Sequence, residues 1–382
     1  MQTDRSLKRA LTLQKNFIPP YCARPSCPFH QKQNCISLWY KKNGLSFKKS
    51  FPYQYQRYQC LHCKKHFTYS FFKLSYREQL YGLDPLIFRL NICGASNREI
   101  ARFIGHSEHF VRLRLSKLAR WCLLKQSLDL KHFQIQEPIV YDGLENFSFS
   151  QYDPNNINHA IGKHSGFTYD FNFSPMNRKG KMSERQKEFK CYLDKQFGKY
   201  PPKAIRKSSE ELFKRLVKKN KDQVLILYSD EHFQYRRAIE RDLRDLNIVH
   251  LTISSKASRN FQNPLFNVNN FDMQIRQKSA AFMRETISFA KHSIGMVEKF
   301  TLFMAFKNYM RPYFYKKQVR DPHAHEHSPA QRAGVEKKIL SFREFFKERT
   351  TLHQVDLSKN WEDFVKRRDP LSRRVIQGYK GI

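Results

Sequence analysis

Two cysteine pairs place the tightest constraint on this chain. Cys60 and Cys63 sit two residues apart in QRYQCLHCKKHFTYSFF, Cys22 and Cys27 lie four apart in YCARPSCPFH, and a 32-residue insert (28 to 59) separates the pairs. Four thiolates arriving as two close pairs, each on a tight knuckle, can close a tetrahedron around a structural zinc ion. The C-x2-C pair followed by basic residues is the stronger knuckle, since C-x4-C lies at the permissive edge of the spacing. The insert SLWYKKNGLSFKKSFPYQYQRY reads as a hairpin with Asn43-Gly44 as its turn, so the expectation is a zinc ribbon. His30, Cys35, His62 and His66 are spare ligands, Cys35 first among them, and each also reads as an ordinary surface residue. Five of the eight cysteines, at 22, 27, 35, 60 and 63, fall in this region, which in a reducing compartment favours metal over disulfides.

The same region is the most one-sidedly basic part of the chain: residues 1 to 83 hold 15 Lys plus Arg against two acids, Asp4 and Glu78. Over all 382 residues, 70 Lys plus Arg face 34 Asp plus Glu, a formal net charge of +36. That excess points to a polyanion, with nucleic acid the commonest. No apolar run approaches the roughly 20 residues that span a bilayer. The N-terminus has no apolar stretch of the signal-peptide kind. The expectation is a soluble, intracellular protein without a membrane partner.

From 84 to 122 the sequence DPLIFRLNICGASNREIARFIGHSEHFVRLRLSKLARWC places Ile100, Ala101 and Ile104, then Val111, Leu115 and Leu118, at helical spacing around Gly105. Asn97 or Ser96 can cap the first helix and Ser107 the second. This predicts a helix-turn-helix whose second helix offers His109, Arg112, Arg114 and Lys117 to DNA. A helical hairpin with solvated charges is the plainer alternative. Residues 123 to 137 read as a linker.

Beyond 137 the pattern becomes short apolar runs ending in acids. PIVYDGLENFSF ends a strand-like run at Asp142, INHAIG and FTYDFNFSP are further strand candidates, SSEELFKRLVKKN is helical, and VLILY ends at Asp230. That order is the order of an RNase H-like α/β core, in which acids ending the first and fourth strands lie side by side. Two carboxylates in one site repel each other, which is tolerable with a divalent cation between them. Mg²⁺ ions held by three acids can activate a water or a 3′ hydroxyl and stabilise the leaving oxygen of a phosphodiester.

RYQCLHCKKHFTY, the helix-turn-helix, YDGLE and YSDEHFQY, in this order, resemble the zinc-ribbon insertion-sequence transposases of the insertion-sequence-one type, which belong to the DDE superfamily. The resemblance touches residues 20 to 310 in islands. It implies a transposase that binds double-stranded DNA at its element's inverted repeats and at the target, assembles as a homo-oligomer on DNA, and cuts and joins strands with Mg²⁺ or Mn²⁺. It also implies a prokaryotic, nucleoid-associated location. The implied domains are a basic zinc ribbon (1–80), a helix-turn-helix (81–125), an RNase H-like catalytic domain (137–312) and a basic tail (313–382).

The third acid departs from that family. VNNFDMQIR, Val268 to Arg276, aligns with the family's third motif and puts Asn269 where the glutamate stands and Asp272 where the asparagine stands. Positions three apart share a helix face, about 4.5 Å apart along the axis, so Asp272 is the expected third carboxylate. Glu285 and Glu298 are alternatives, and so is a site without its third ligand. The rival functions are a DNA-binding regulator with an inactive RNase H-like domain and a structure-selective nuclease. GKHS (162–165) is no phosphate loop, HAHEH (323–327) reads as a loop, 176 to 190 as a solvated loop that tracks DNA phosphates, and FTLFMAFKNYM as an amphipathic helix that closes the core.

Overall fold

The computed structural model describes residues 11–31, 38–47, 53–78, 80, 82–220, 224–283 and 289–368. Within these, the chain divides into two compact units. One comprises residues up to Ile87 together with Ser341–Asp356, the other Phe88–Leu340 and the residues from Leu357 on.

The first unit is built on a three-stranded antiparallel sheet of β1 (Tyr40–Phe47), β2 (Gln54–Cys60) and β3 (His66–Thr68). The expected hairpin is present, but Asn43-Gly44 is not its turn. Lys42 pairs with Tyr58 and Leu45 with Gln56, so two residues of β1 oppose one of β2. Gly44, at φ +67, takes the left-handed conformation that lets such a bulge form inside a strand. Tyr21, Trp39, Tyr58, Phe67 and Phe72 pack into a small aromatic core that also encloses Cys22, Cys27 and Cys60. The returning segment joins this core: Arg349 N–H donates to the Phe72 carbonyl at 2.9 Å, and the His353 ring lies 3.8 Å from that of His30.

The second unit begins with α1 (Asp84–Ile92, shared across the division), α2 (Asn97–Ile104) and α3 (Glu108–Asp129). Ser96 caps α2 by accepting from Glu99 N–H, and Ser107 caps α3 by accepting from Phe110 N–H. Gly105, at φ +67, closes α2 in the left-handed conformation, so the chain turns into α3 within three residues. Ile100, Ala101, Val111, Leu115 and Leu118 are all buried, as their spacing predicts. The stretch read as a linker from 123 differs: α3 continues to Asp129. Leu123 and Leu124 are buried, and Gln126 donates to the Thr168 carbonyl and accepts from Asn308.

The sheet of this unit contains β4 (Ile139–Phe147), β5 (Pro154–Gly162), β6 (Thr168–Pro175), β7 (Leu225–Asp230) and β8 (Ile248–Ile253) in the order β6-β5-β4-β7-β8. The first three are antiparallel neighbours, while β7 runs parallel to β4 and β8 parallel to β7. One face carries α5 (Ala204–Lys219), where Tyr141 meets Ser209 at 2.8 Å and the Phe213 ring at 4.7 Å. The short helix α6 (Phe233–Arg237) follows β7, and the other face carries α7 (Phe266–Lys278) and α8 (Ser293–Tyr309), through the Phe271 and Phe300 rings at 5.2 and 5.7 Å from His159.

Three further readings are corrected. Residues 184–197 form a helix, α4 (Glu184–Phe197), where a solvated loop was expected; Ser183 and Gln186 make a reciprocal capping box that starts it. Strand β8 went unread because NIVHLTI carries a histidine amid its apolar residues and stays half exposed. Helix α8, with FTLFMAFKNYM, closes the core as expected, but it is buried around nearly its whole circumference and so is not amphipathic.

Candidate functional site

The thiol cluster forms in the first unit. The Sγ atoms of Cys22, Cys27, Cys60 and Cys63 all lie within 4.8 Å of one another, with Cys22 and Cys63 at 3.5 Å and Cys27 and Cys60 at 3.9 Å. Both knuckles are wound by backbone hydrogen bonds: Cys27 N–H donates to Arg24 and Lys64 N–H to Cys60, while Arg24 N–H points at Cys22 Sγ at 3.4 Å. Lys64 takes φ +58 to make its turn. Burial pushes the Cys22 and Cys27 thiols up. At Cys63 burial acts the same way, but the Lys65 N–H and the neighbouring thiols outweigh it and the net shift is downward. The four lie close enough to hold a zinc ion, and their soft, closed donor set suits one.

The spare ligands are placed elsewhere. His30 Nδ1 lies 2.6 Å from the Cys22 carbonyl oxygen, so it braces the knuckle from outside. His66 contacts Asn43 and Gln59. His62 Nδ1 stands 4.0 Å from Cys27 Sγ. Cys35 lies outside the described residues. Among the described residues, no other set of three or more His, Cys, Asp or Glu side chains gathers as closely, the HAHEH histidines included.

The acidic cluster belongs to the second unit. Asp142 does not end a strand, as expected, but sits in the middle of β4, directly across from His159 of β5. The parallel pairing of β4 with β7 reaches Tyr141 opposite Ser229, so Asp142 and Asp230 are the next residues on adjacent strands. Asp272 approaches from α7, its Oδ1 3.1 Å from His159 Nε2. The contact is close but not aligned as a hydrogen bond, and both atoms are buried without a hydrogen-bond partner. Gly143 N–H donates to Asp142 Oδ1 at 2.7 Å and His232 N–H to Asp230 Oδ1 at 3.1 Å.

These carboxylates feel one another. Burial first, then Asp272 and Asp230, push Asp142 up to about 7, against smaller opposing effects of the Gly143 N–H and His159. A buried lysine completes the surroundings: Lys307 of α8 lies over the Phe271 ring at 4.8 Å, and burial and Arg311 lower it to about 7, with Asp272 pulling the other way. Mutual repulsion, together with an unpartnered buried oxygen on Asp272, is the environment a hard divalent cation would relieve.

Neither His159 nor Lys307 was singled out from sequence. The one available signal for His159 was an ionisable residue within the strand-like INHAIG run. Of the alternatives for the third acid, Glu298 faces α3, where it accepts from the Ser116 hydroxyl and pairs with Arg120 at 3.5 Å. Glu285 lies outside the described residues. Asn269 is on α7, one turn before Asp272 and partly buried.

The glycine after Asp142 is required by its neighbours. A Cβ on Gly143 would come within 2.0 Å of Asn156 Nδ2. Asn156 donates to Asn158, which donates to Asn172 and Ser174, so a row of buried amides runs along β5 beside the acids.

On α3, His109 and Arg112 are exposed and lie 2.9 Å apart. Lys117 covers the Trp121 ring at 4.9 Å. Arg114 does not face outward: it is buried, with its guanidinium 4.9 Å from the Phe110 ring, because its position falls on the stripe with Val111 and Leu118. Among the described residues no helix is long and apolar enough to cross a membrane. No protein-family model matches the chain, and no curated protein matches it in sequence.

Proposed function

We propose that this chain is a DDE-type transposase, an enzyme that grips the ends of a mobile DNA element and cuts and joins phosphodiester bonds with a divalent metal. The observation that carries the reading is the convergence of Asp142, Asp230 and Asp272 from two adjacent strands and a helix onto one face of the sheet. The strand order β6-β5-β4-β7-β8, with three antiparallel strands followed by two parallel ones, is that of an RNase H-like core and supports the same reading.

In this reading Asp142, Asp230 and Asp272 hold Mg²⁺ or Mn²⁺, which supplies Lewis acidity and an activated oxygen nucleophile. His159 borders the Asp272 carboxylate from β5. The four cysteines form a zinc ribbon, and the exposed first turns of α3, with His109 and Arg112, approach DNA. The net charge of +36 supplies phosphate affinity that falls with salt.

The test is cleavage by the purified full chain of DNA carrying the inverted repeats that flank its own coding region, with and without Mg²⁺. Metal-dependent cuts at the repeat ends are expected, and Asp142→Asn should abolish them. Intact binding with no cutting by the wild type would sink the enzyme reading. Two observations favour the second reading, a DNA-binding regulator: the usual glutamate position is Asn269, and the three acids do not gather as tightly as the four thiols.

A further inference from the structure

The thiol cluster is backed by a segment that follows it at great distance in sequence. Ser341–Asp356 forms one compact unit with the residues up to Ile87. The segment has its own local order: Ser341 with Glu344 and Thr351 with Gln354 make reciprocal capping boxes, and Phe342, Phe345 and Phe346 are buried. Its flanking residues are held in the second unit, where Leu340 N–H donates to the Tyr309 carbonyl at 2.8 Å and the Trp361 ring lies 4.7 Å from that of Phe171.

Arg349 anchors the segment against the aromatic core. Its N–H donates to the Phe72 carbonyl at 2.9 Å, its Nη1 donates to the Phe71 carbonyl at 3.3 Å, and its guanidinium lies over the Phe71 and Tyr76 rings at 5.1 and 5.2 Å. Two residues on, the Thr351 hydroxyl donates to the Tyr21 oxygen at 3.4 Å. His353 then meets two rings at once, that of Tyr21 at 4.5 Å and that of His30 at 3.8 Å.

Tyr21 and His30 are the residues that hold Cys22. Tyr21 precedes it in the chain and is buried with the thiols, and His30 Nδ1 donates to the Cys22 carbonyl at 2.6 Å. Cys22 N–H donates to the Phe29 carbonyl at 2.9 Å, and the two bonds close the loop that carries both Cys22 and Cys27. A zinc ion can leave, or a competing chelator reach it, once this loop opens. Opening moves His30 and so breaks its contact with His353.

We propose that Ser341–Asp356 is a latch on the zinc site, in which Thr351 and His353 position Tyr21 and His30, and through them the knuckle at Cys22, for tight metal retention. Latch docking and zinc binding are coupled, and such coupling is reciprocal: zinc loss loosens the latch as much as latch loss loosens zinc. The proposal rests on the reading of the four thiols as a zinc site and is independent of the acids. It also makes the zinc unit complete only when the latch has been synthesised, so a chain that stops short of Ser341 holds zinc weakly.

The test follows zinc in the full chain. Metal content is measured by elemental analysis, and release is timed with excess pyridylazoresorcinol, a chromophoric chelator. Loss of an outer partner of a metal site weakens metal binding about 10–100-fold, so His353→Ala should release zinc about tenfold or more faster than the wild type. Thr351→Val removes one hydrogen bond and keeps the shape, and should release it severalfold faster. Hydrogen exchange separates coupling from mere packing: stripping zinc from the wild type should speed exchange of the Arg349 amide about tenfold or more, with the β4 amides of the second unit unchanged. Should His353→Ala fail to fold, Thr351→Val and the wild-type exchange decide. Zinc release within twofold of the wild type in both variants overturns the latch and leaves the zinc site standing, and so does an Arg349 amide that exchanges alike with and without zinc. A purified chain that holds no zinc removes the reading of the thiols and the latch with it.

Discussion

The thiol cluster and the acidic cluster gather four and three ionisable side chains in opposite ways. The thiols come from two short knuckles within residues 22 to 63, close within 4.8 Å of one another, and leave no position open. The acids come from β4, β7 and α7, spread over residues 142 to 272, and stay far enough apart to repel without closing a cage. A closed set of soft ligands stabilises a fold too small to bury much apolar surface. On the proposed reading, the open set of carboxylates holds charge in place for a hard cation, at a cost to stability that the surrounding sheet and helices must offset.

The largest expected effect tests the closed half. Zinc bound to structural sites contributes on the order of 10 kcal/mol to folding of the unit that holds it. The purified chain should carry one zinc per molecule by elemental analysis, and Cys60→Ser should lose it along with the cooperative melting of the three-stranded unit. Protein that contains no zinc and melts normally would break the comparison at its first term.

Next is the open half. Asp142→Asn keeps the shape of the side chain and should reduce metal-dependent cutting by about three orders of magnitude, roughly 4 kcal/mol of transition-state stabilisation. Its DNA affinity and melting temperature should hold or rise, because a repelling charge has gone. Asp272→Ala should cost nearly as much activity and Asn269→Ala little; the reverse ranking would move the third ligand one turn back along α7.

A pH profile separates the two clusters without any DNA. Asp142 stays protonated in the fold up to about 7, against an ordinary 3.8, so the folded chain binds more protons and stability falls as pH rises from about 4 to 7. Lys307 is lowered to about 7 from 10.5, so the folded chain binds fewer protons and stability rises from pH 7 toward 10. Each group contributes at most about 1.4 kcal/mol per pH unit. In magnesium-free buffer, urea melts of the second unit should therefore show a minimum near pH 7. Asp142→Asn should flatten the acid limb and Lys307→Met the basic limb. A wild-type profile without that minimum would mean that Asp142 and Lys307 do not sit in the buried surroundings the fold gives them.

The same contrast decides what was legible in the sequence. The thiol pairs were readable because zinc spacing is local: knuckle residues such as Arg24 and Lys64 lie within four positions of the cysteines they serve. The capped pair α2 and α3 was readable for the same reason, through Ser96, Gly105 and Ser107. The acid positions were found through apolar runs and the nearness of Asp142 to Asp230 through the expected strand order, yet the register and helix packing that bring the three together were not. The placement of Asp142 beside Asp230 depends on the β4–β7 pairing, and the side Asp272 faces depends on how α7 packs over β5. His159 and Lys307 matter only through those long-range contacts. Arg114 shows the reverse error, since a charged residue on the buried stripe looks the same in sequence as one on the exposed face.

The smallest effects come from the turns that aim each cluster, and they should carry opposite signs. Lys64 pays the usual penalty of a side chain at positive φ, so Lys64→Gly, with the Lys64 N–H to Cys60 bond retained, should change stability by less than about 1 kcal/mol and toward stabilisation. Gly143→Ala forces its Cβ against Asn156, whose amide must swing away from Asn158 in a buried row of side chains; about 1–3 kcal/mol of destabilisation should follow. Because Gly143 N–H also holds Asp142 Oδ1, the alanine variant should lose activity out of proportion to its stability. Parallel melts and cutting rates of the two variants measure this directly. Equal, small effects on both would show that the acidic site tolerates backbone movement as readily as the knuckle does, and would remove the claim that its strand must be held in place.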